Sequence, residues 1–489
     1  MTQKIKKVLT NLKSNLIGGK KSAKGDFFWY IMPMAASFIF GLITLPIITK
    51  NISVSAYGQY DYLIIVVGFF GMFLSFGLSS AFQEALYRGD IGGFGHETIA
   101  KSIYLFWFYI SGIGLAIGCA AYFFISGYPV VYLFFIYFSV FSSLMQNVPK
   151  EYLRKDRRPK LLAGVEVVSN LVKTLGIVSL LFISLVSLEM ILLVGGVFAI
   201  LRLFIFWYFY QDYNQGSFSF RALVESFKIG IPALPASISN YIIKASDRFF
   251  IKGIKGDEPL GLYAMNMKFD TYSTMFMMVI HNTFYPIFGN TLSDEKSNLK
   301  VENTIFRIII LFSFLLFVGA IFMKEFILII SRPEFYVGTG LFLIIANYIF
   351  FYLWQHLYQA HIVTSGKIKL IGFLRGSGAL INLALNYYLV QWFSYTGAAI
   401  STLAAHAATV WLIYMVLRKD FTIEWQKHLL ILIIMNSLIL INMFMITLPD
   451  SVIHWDRIGI KIFLSIIIGV TVLMYTKPVT WSQIKNLSK

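Results

Sequence analysis

Long apolar runs alternate with short polar stretches along almost the whole chain. The runs cover about 27–49, 59–82, 102–125, 130–148, 161–183, 188–210, 229–251, 261–289, 304–323, 338–361, 370–390, 396–417, 429–447 and 458–476. A hydrocarbon layer about 30 Å thick takes about 20 helical residues at about 1.5 Å each, so each run is long enough to cross it once. Lipid offers no hydrogen-bond partners to a backbone, so every run is predicted to be an α-helix. The pattern predicts an all-α integral membrane protein of about 14 transmembrane helices. No connecting segment is long enough for a soluble domain.

The spacing also contains a repeat. Pro33, Ala36 and Ser37 precede the turn Tyr57-Gly58-Gln59-Tyr60, and Pro235, Ala236 and Ser237 precede Leu260-Gly261-Leu262-Tyr263. Proline and glycine stand 25 residues apart in one copy and 26 in the other. Six helices per copy is an even number, so both copies enter the membrane from the same side and are related by an axis along its normal, a plan common among transporters. The expected organisation is a basic N-terminal segment (1–26), a first six-helix lobe (27–210), a linker (211–228), a second lobe (229–417), two additional helices (418–476) and a tail (477–489).

Composition agrees with the pattern: 57% of the 489 residues are hydrophobic and only 13% charged, against about 25% charged in soluble domains. The net charge of +17 would suggest nucleic acid in a soluble protein, but its placement matters more. With the N-terminus inside, 27 lysines and arginines fall in inner segments and 7 in outer ones. That bias orients the protein with both termini cytoplasmic and explains most of the charge without a nucleic-acid partner. In 1–26 the apolar residues Ile5, Val8, Leu9, Leu12 and Leu16 lie among seven lysines, which reads either as a helix on the inner membrane surface or as a disordered basic tail. The first run lacks a small-residue cleavage site and reads as an anchor. Cys119 is the single cysteine, so no intrachain disulfide can form.

Catalytic signatures are missing: there is no H-E-x-x-H, G-x-S-x-G or complete phosphate loop. Gly18-Gly19-Lys20-Lys21-Ser22 lacks the first glycine of such a loop and follows no strand. No cofactor, metal site or enzymatic activity is expected, and the scattered histidines read as packed or interfacial residues.

The informative residues are charges inside the apolar runs, which cost about 2.5–3.5 kcal/mol each on insertion scales and normally face a bundle interior or an aqueous cavity. Lys173 sits mid-way along the fifth run with Glu166 two turns earlier; Arg202 lies in the sixth; Lys244, Asp247 and Arg248 fall in the seventh; Lys268 and Asp270 fall in the eighth. Lys244 and Asp247 are spaced to pair along one helix face. Five cations face three anions, a positive surplus suited to a diphosphate; internal salt bridges and snorkelling side chains are the other reading. Glu166, Asp247 and Asp270 are candidates for ion coupling or charge balance. Pro33, Pro46, Pro232, Pro235 and Pro286 interrupt helices, either as hinges and gates or for packing alone.

Several of these stretches together resemble a known family. Ala56-Tyr57-Gly58-x-Tyr60, Phe76-Gly77-Leu78-Ser79-Ser80, Gly230-x-Pro232, Ser246-Asp247-Arg248-Phe249-Phe250-Ile251 and Gly261-Leu262-Tyr263 are similar to the bacterial polysaccharide (O-antigen or capsule repeat-unit) flippases. These belong to the multidrug/oligosaccharidyl-lipid/polysaccharide exporter superfamily. The resemblance implies two six-helix lobes lining a central cavity that opens alternately to either side. It also implies an undecaprenyl-diphosphate-linked oligosaccharide as substrate, with polysaccharide polymerase and chain-length machinery as candidate partners beside the membrane lipids. Related peptidoglycan-precursor flippases have fourteen helices, the last two helping to form a groove for the lipid tail. A drug/cation antiporter of the same superfamily, and an oligosaccharide polymerase or ligase, are the alternatives. The net basic interior disfavours the first, and the short outer segments disfavour the second.

Overall fold

The computed structural model describes residues 23–124, 129–156, 158–277, 295–364, 368–418, 425–447 and 451–476. The basic segment 1–26 falls almost wholly outside the described residues, and Pro286 and the tail 477–489 do so entirely. The described chain is helical, with no strand beyond an isolated Ile91–Phe94 bridge. Its helices are α1 (Ala23–Asn51), α2 (Val54–Leu74), α3 (Leu78–Arg88), α4 (His96–Phe124), α5 (Val130–Met145), α6 (Asn147–Lys155), α7 (Pro159–Phe182), α8 (Leu188–Tyr210) and α9 (Phe220–Lys255). They continue with α10 (Asp257–Asn266), α11 (268–277), α12 (Glu295–Ile330), α13 (Gly340–Thr364), α14 (Ile368–Leu417), α15 (Trp425–Ile441) and α16 (Trp455–Thr476).

Eleven stretches of the described chain are long and apolar enough to cross a membrane. One of them, Leu370–Leu417, is two crossings, because Ser394 adopts φ 53° and breaks α14. Helix α9 has 36 residues, about 54 Å at the helical rise, long enough to cross although its prolines, serines, Asn240 and charges lower its hydropathy. Residues 268–277 are helical and lie in the predicted eighth run, the rest of which is outside the described residues. The described helices are consistent with the roughly fourteen crossings that the apolar runs predict. Large apolar side chains such as Phe182, Phe444, Met445 and Trp392 stand exposed along these helices, as expected where lipid replaces water as the solvent.

The chain divides into two units: the described residues up to Ile52 with Tyr60–Ile238, and Ser53–Gln59 with the described residues from Ser239. The division falls inside α9. In the first unit, Gly77 (φ 67°) caps α3 and lies flat against Gly230 of α9; a methyl group on Gly77 would strike the Gly230 carbonyl oxygen. In the second unit, Gly58 packs against Gly261, and a methyl group on Gly58 would strike the Asp257 carbonyl and come within 2.8 Å of the Gly261 nitrogen. Only glycine lets two backbones approach this closely.

The core of the first unit gathers Leu78, Phe82, Ile99, Ile103, Trp107, Leu144 and Val148. Trp107 donates its indole N–H to the Ser75 carbonyl (3.3 Å), which also accepts from the Leu78 N–H (3.0 Å) in the turn between α2 and α3. In the second unit Tyr57 meets Phe335 edge to face, and Asn266 donates to the Phe335 carbonyl at 3.0 Å.

Candidate functional site

Charged and polar side chains collect in three places at membrane depth. In the first unit Glu166 of α7 accepts hydrogen bonds from Arg202 of α8 at 2.5 and 2.7 Å and pairs with Lys150 of α6 at 2.7 Å. Both cations lie over the Phe206 ring. One carboxylate shared by two cations leaves one positive charge over. Lys173, two turns along α7, is half-buried and has no hydrogen-bond or ion-pair partner among the described residues. One turn nearer Glu166, Asn170 donates to Ser37 of α1 at 3.0 Å.

The second collection lies in the second unit. Asp247 is 2% exposed; it accepts from the Tyr263 hydroxyl at 2.5 Å and pairs with the Arg248 guanidinium at 3.3 Å. Arg248 also donates to the Lys244 carbonyl and lies over the Tyr263 ring. The expected Lys244–Asp247 pair is therefore replaced by Arg248 and Tyr263, and the Lys244 side chain is exposed. The Tyr348 hydroxyl donates to Met267 Sδ at 3.7 Å, and Asp270 lies within electrostatic reach of Arg248 and Lys244. Neither Lys244 nor Lys268 has a carboxylate partner among the described residues. Beneath this group Ser246, Asn382, Asn386 and Thr402 form a buried neutral network, with Ser246 donating to Asn382 at 2.6 Å. His406 faces Gln355 at 3.3 Å, close to the Tyr348 and Tyr352 rings.

The third collection concerns the two additional helices. Near one end of α12 Glu302 accepts from Tyr358 of α13 (2.7 and 2.8 Å) and lies 3.1 Å from His428 Nε2 of α15. Near the other end Glu325 pairs with Lys461 of α16 at 2.7 Å, and Lys461, fully buried, also donates to the Ile321 carbonyl. The carboxylates are 23 residues apart on one helix, about 35 Å. Between them α12, α15 and α16 form an open apolar groove of about 520 Å³, lined by Phe306, Phe314, Ile431, Leu438 and Ile468, with Lys427 on its wall.

Pro33 and Pro46 lie inside α1, and Pro232 and Pro235 inside α9; both helices run through them. Sequence reasoning missed Lys150, Tyr263, Tyr358, His428 and Lys461. Lys150 and Lys461 counted as loop cations, although Ile460 and Ile462 flank Lys461 in an apolar context that signals burial. Among the described residues no group of histidine, cysteine, aspartate and glutamate could hold a metal ion.

Residues 47–331, more than half of the chain, match the family described as polysaccharide biosynthesis protein. The chain belongs to that family. Several of the solved structures it resembles are described as transporters of the MOP superfamily. The lipid II flippase MurJ in an inward closed conformation aligns with a TM-score of 0.67 over 92% of this chain and 99% of that one, at 14% identity. A multidrug resistance MATE family transporter in an inward-facing conformation aligns at 0.58, over 80% of this chain and 98% of that one, at 11% identity. A superfamily transporter from Pyrococcus furiosus aligns at 0.52, over 80% and 94%, at 11% identity. No protein of curated function matches the sequence. The family member is thus a multi-pass membrane protein with the transporter fold of this superfamily.

Proposed function

We propose that the protein is a flippase for undecaprenyl-diphosphate-linked oligosaccharide repeat units in cell-surface polysaccharide biosynthesis. It moves them from the inner to the outer leaflet of the bacterial cytoplasmic membrane by alternating access, with both termini cytoplasmic and no bond chemistry of its own. The observation that carries this reading is the set of lysines at membrane depth without carboxylate partners, Lys173, Lys244 and Lys268, in a member of the polysaccharide biosynthesis family. A diphosphate cannot enter hydrocarbon unaided, because desolvating its charge costs many kcal/mol. Ammonium groups left without carboxylates recover part of that cost when the diphosphate becomes their counter-ion. Arg202 and Arg248 are already paired; in this reading they hold the charge balance with Glu166 and Asp247, and Asp270 is the carboxylate best placed to respond to ion movement. The apolar groove between α12, α15 and α16 accommodates part of the polyprenyl tail. The prolines of α1 and α9 act as hinges. Polysaccharide polymerase and chain-length machinery are the expected partners in the same membrane.

The test is replacement of Lys173, Lys244 and Lys268 by alanine, singly and together, scoring surface glycan alongside protein abundance in the membrane. The expected outcome is loss of glycan with abundance retained in the triple variant. Normal glycan in the triple variant rejects the site.

A further inference from the structure

An apolar slot lies in the first unit, away from the charges discussed above. A slot of about 380 Å³ opens between α4, α5 and α8, a volume within the range of small-ligand sites. Its walls are apolar, with Phe108, Leu203 and Trp207 along them. One end is polar. There Lys101 donates to Asn214 at 2.7 Å and has no carboxylate partner among the described residues. Beside it Tyr104 stacks on Tyr210 with ring centroids 4.3 Å apart. Tyr210 is 3% exposed, lines the slot, and has a buried hydroxyl with no hydrogen-bond partner.

A buried hydroxyl without a partner costs about 1–3 kcal/mol, so native structures rarely leave one. A single cation, a hydroxyl awaiting an acceptor and an apolar slot leading away from both define one kind of guest. It has a phosphate-type oxygen at one end and a hydrocarbon chain behind it. We propose that this slot binds one anionic glycerophospholipid, its headgroup on Lys101 and Tyr210 and one acyl chain between Leu203 and Trp207. The polar end sits where α4 begins and α8 ends, which is the cytoplasmic end in the orientation proposed above. The occupant is therefore an inner-leaflet phospholipid. Lipid retention in detergent does not depend on that orientation or on transport, so failure here leaves the flippase reading intact.

The experiment is native mass spectrometry of the full chain, delipidated in detergent and then exposed to phosphatidylglycerol, phosphatidylcholine or inorganic phosphate. One phosphatidylglycerol per chain is expected to persist, with phosphatidylcholine retained less. Lys101→Gln keeps an amide facing Asn214 but removes the charge, and is expected to weaken retention about fivefold, one lysine near a headgroup being worth about 1 kcal/mol. Leu203→Trp fills the slot and is expected to abolish it, and Tyr210→Phe to reduce it; Lys228→Gln, at an exposed pair with Glu225, is the control. Equal retention of both lipids, displacement by inorganic phosphate, or undiminished phosphatidylglycerol in Lys101→Gln overturns the proposal. Lys101→Gln leaves the walls untouched, so the test stands even where Leu203→Trp fails to accumulate.

Discussion

At the scale of single residues the buried pair Glu325–Lys461 shows how a charge tolerates membrane depth. Lys461 has no exposed surface, and its ammonium is held by one carboxylate oxygen and one backbone carbonyl. Removing one member of such a pair strands the other, which typically costs about 3–5 kcal/mol. Lys461→Met is therefore expected to lower stability by roughly that amount, and Lys461→Met with Glu325→Leu to restore most of it. Thermal unfolding in detergent checks both. The charges themselves were legible in the sequence, since an acid or base in an apolar run needs a reason to be there. Their partners were not. Lys244 and Asp247 have the spacing of a pair, yet Asp247 turns to Tyr263, an aromatic residue on a different helix whose approach no helical spacing could report. Glu166 likewise finds Lys150, a residue that its neighbours in sequence place in a loop.

At the scale of elements, apolar length decided nearly everything. The runs at 370–390 and 396–417 are separated by the stretch where Ser394 breaks α14, so even that interruption was readable. Short helices such as α3, α6 and α10 were not read, because about ten residues of mixed polarity resemble a loop as much as an interfacial helix. The glycines in the motifs were visible, but not that they meet in pairs. The Gly58–Gly261 contact leaves no room for a side chain on either helix. Gly58→Val is therefore expected to force α2 and α10 apart and abolish glycan export, whereas Gly253→Ala, with open space around it, is expected to be silent. Surface-glycan staining with matched protein levels distinguishes the two.

Over the whole molecule, the additional helices α15 and α16 are fastened to α12 at two points about 35 Å apart, and α15 also to α13, where Asn347 and Asn436 exchange amide hydrogen bonds at 2.6 and 2.8 Å. A chain ending after residue 424 loses His428 and Lys461 together. Glu325 then loses its ammonium partner and Glu302 loses His428 while keeping Tyr358, and the truncated protein is expected to be depleted from the membrane fraction. Adding Glu302→Gln and Glu325→Leu to the truncation is expected to recover abundance, as immunoblotting of membranes measures. Transport itself is expected to follow membrane potential, because moving a negative charge outward gains about 2.3 kcal/mol per 100 mV. Collapsing the potential in reconstituted vesicles is expected to slow the flipping rate.

The close approach of Gly58 and Gly261 has a further meaning, because they occupy equivalent places in the two copies of the repeat. The obstruction is reciprocal: a methyl group on Gly261 would strike the Val54 carbonyl oxygen just as one on Gly58 strikes that of Asp257. Neither copy can gain bulk there without displacing the other's backbone.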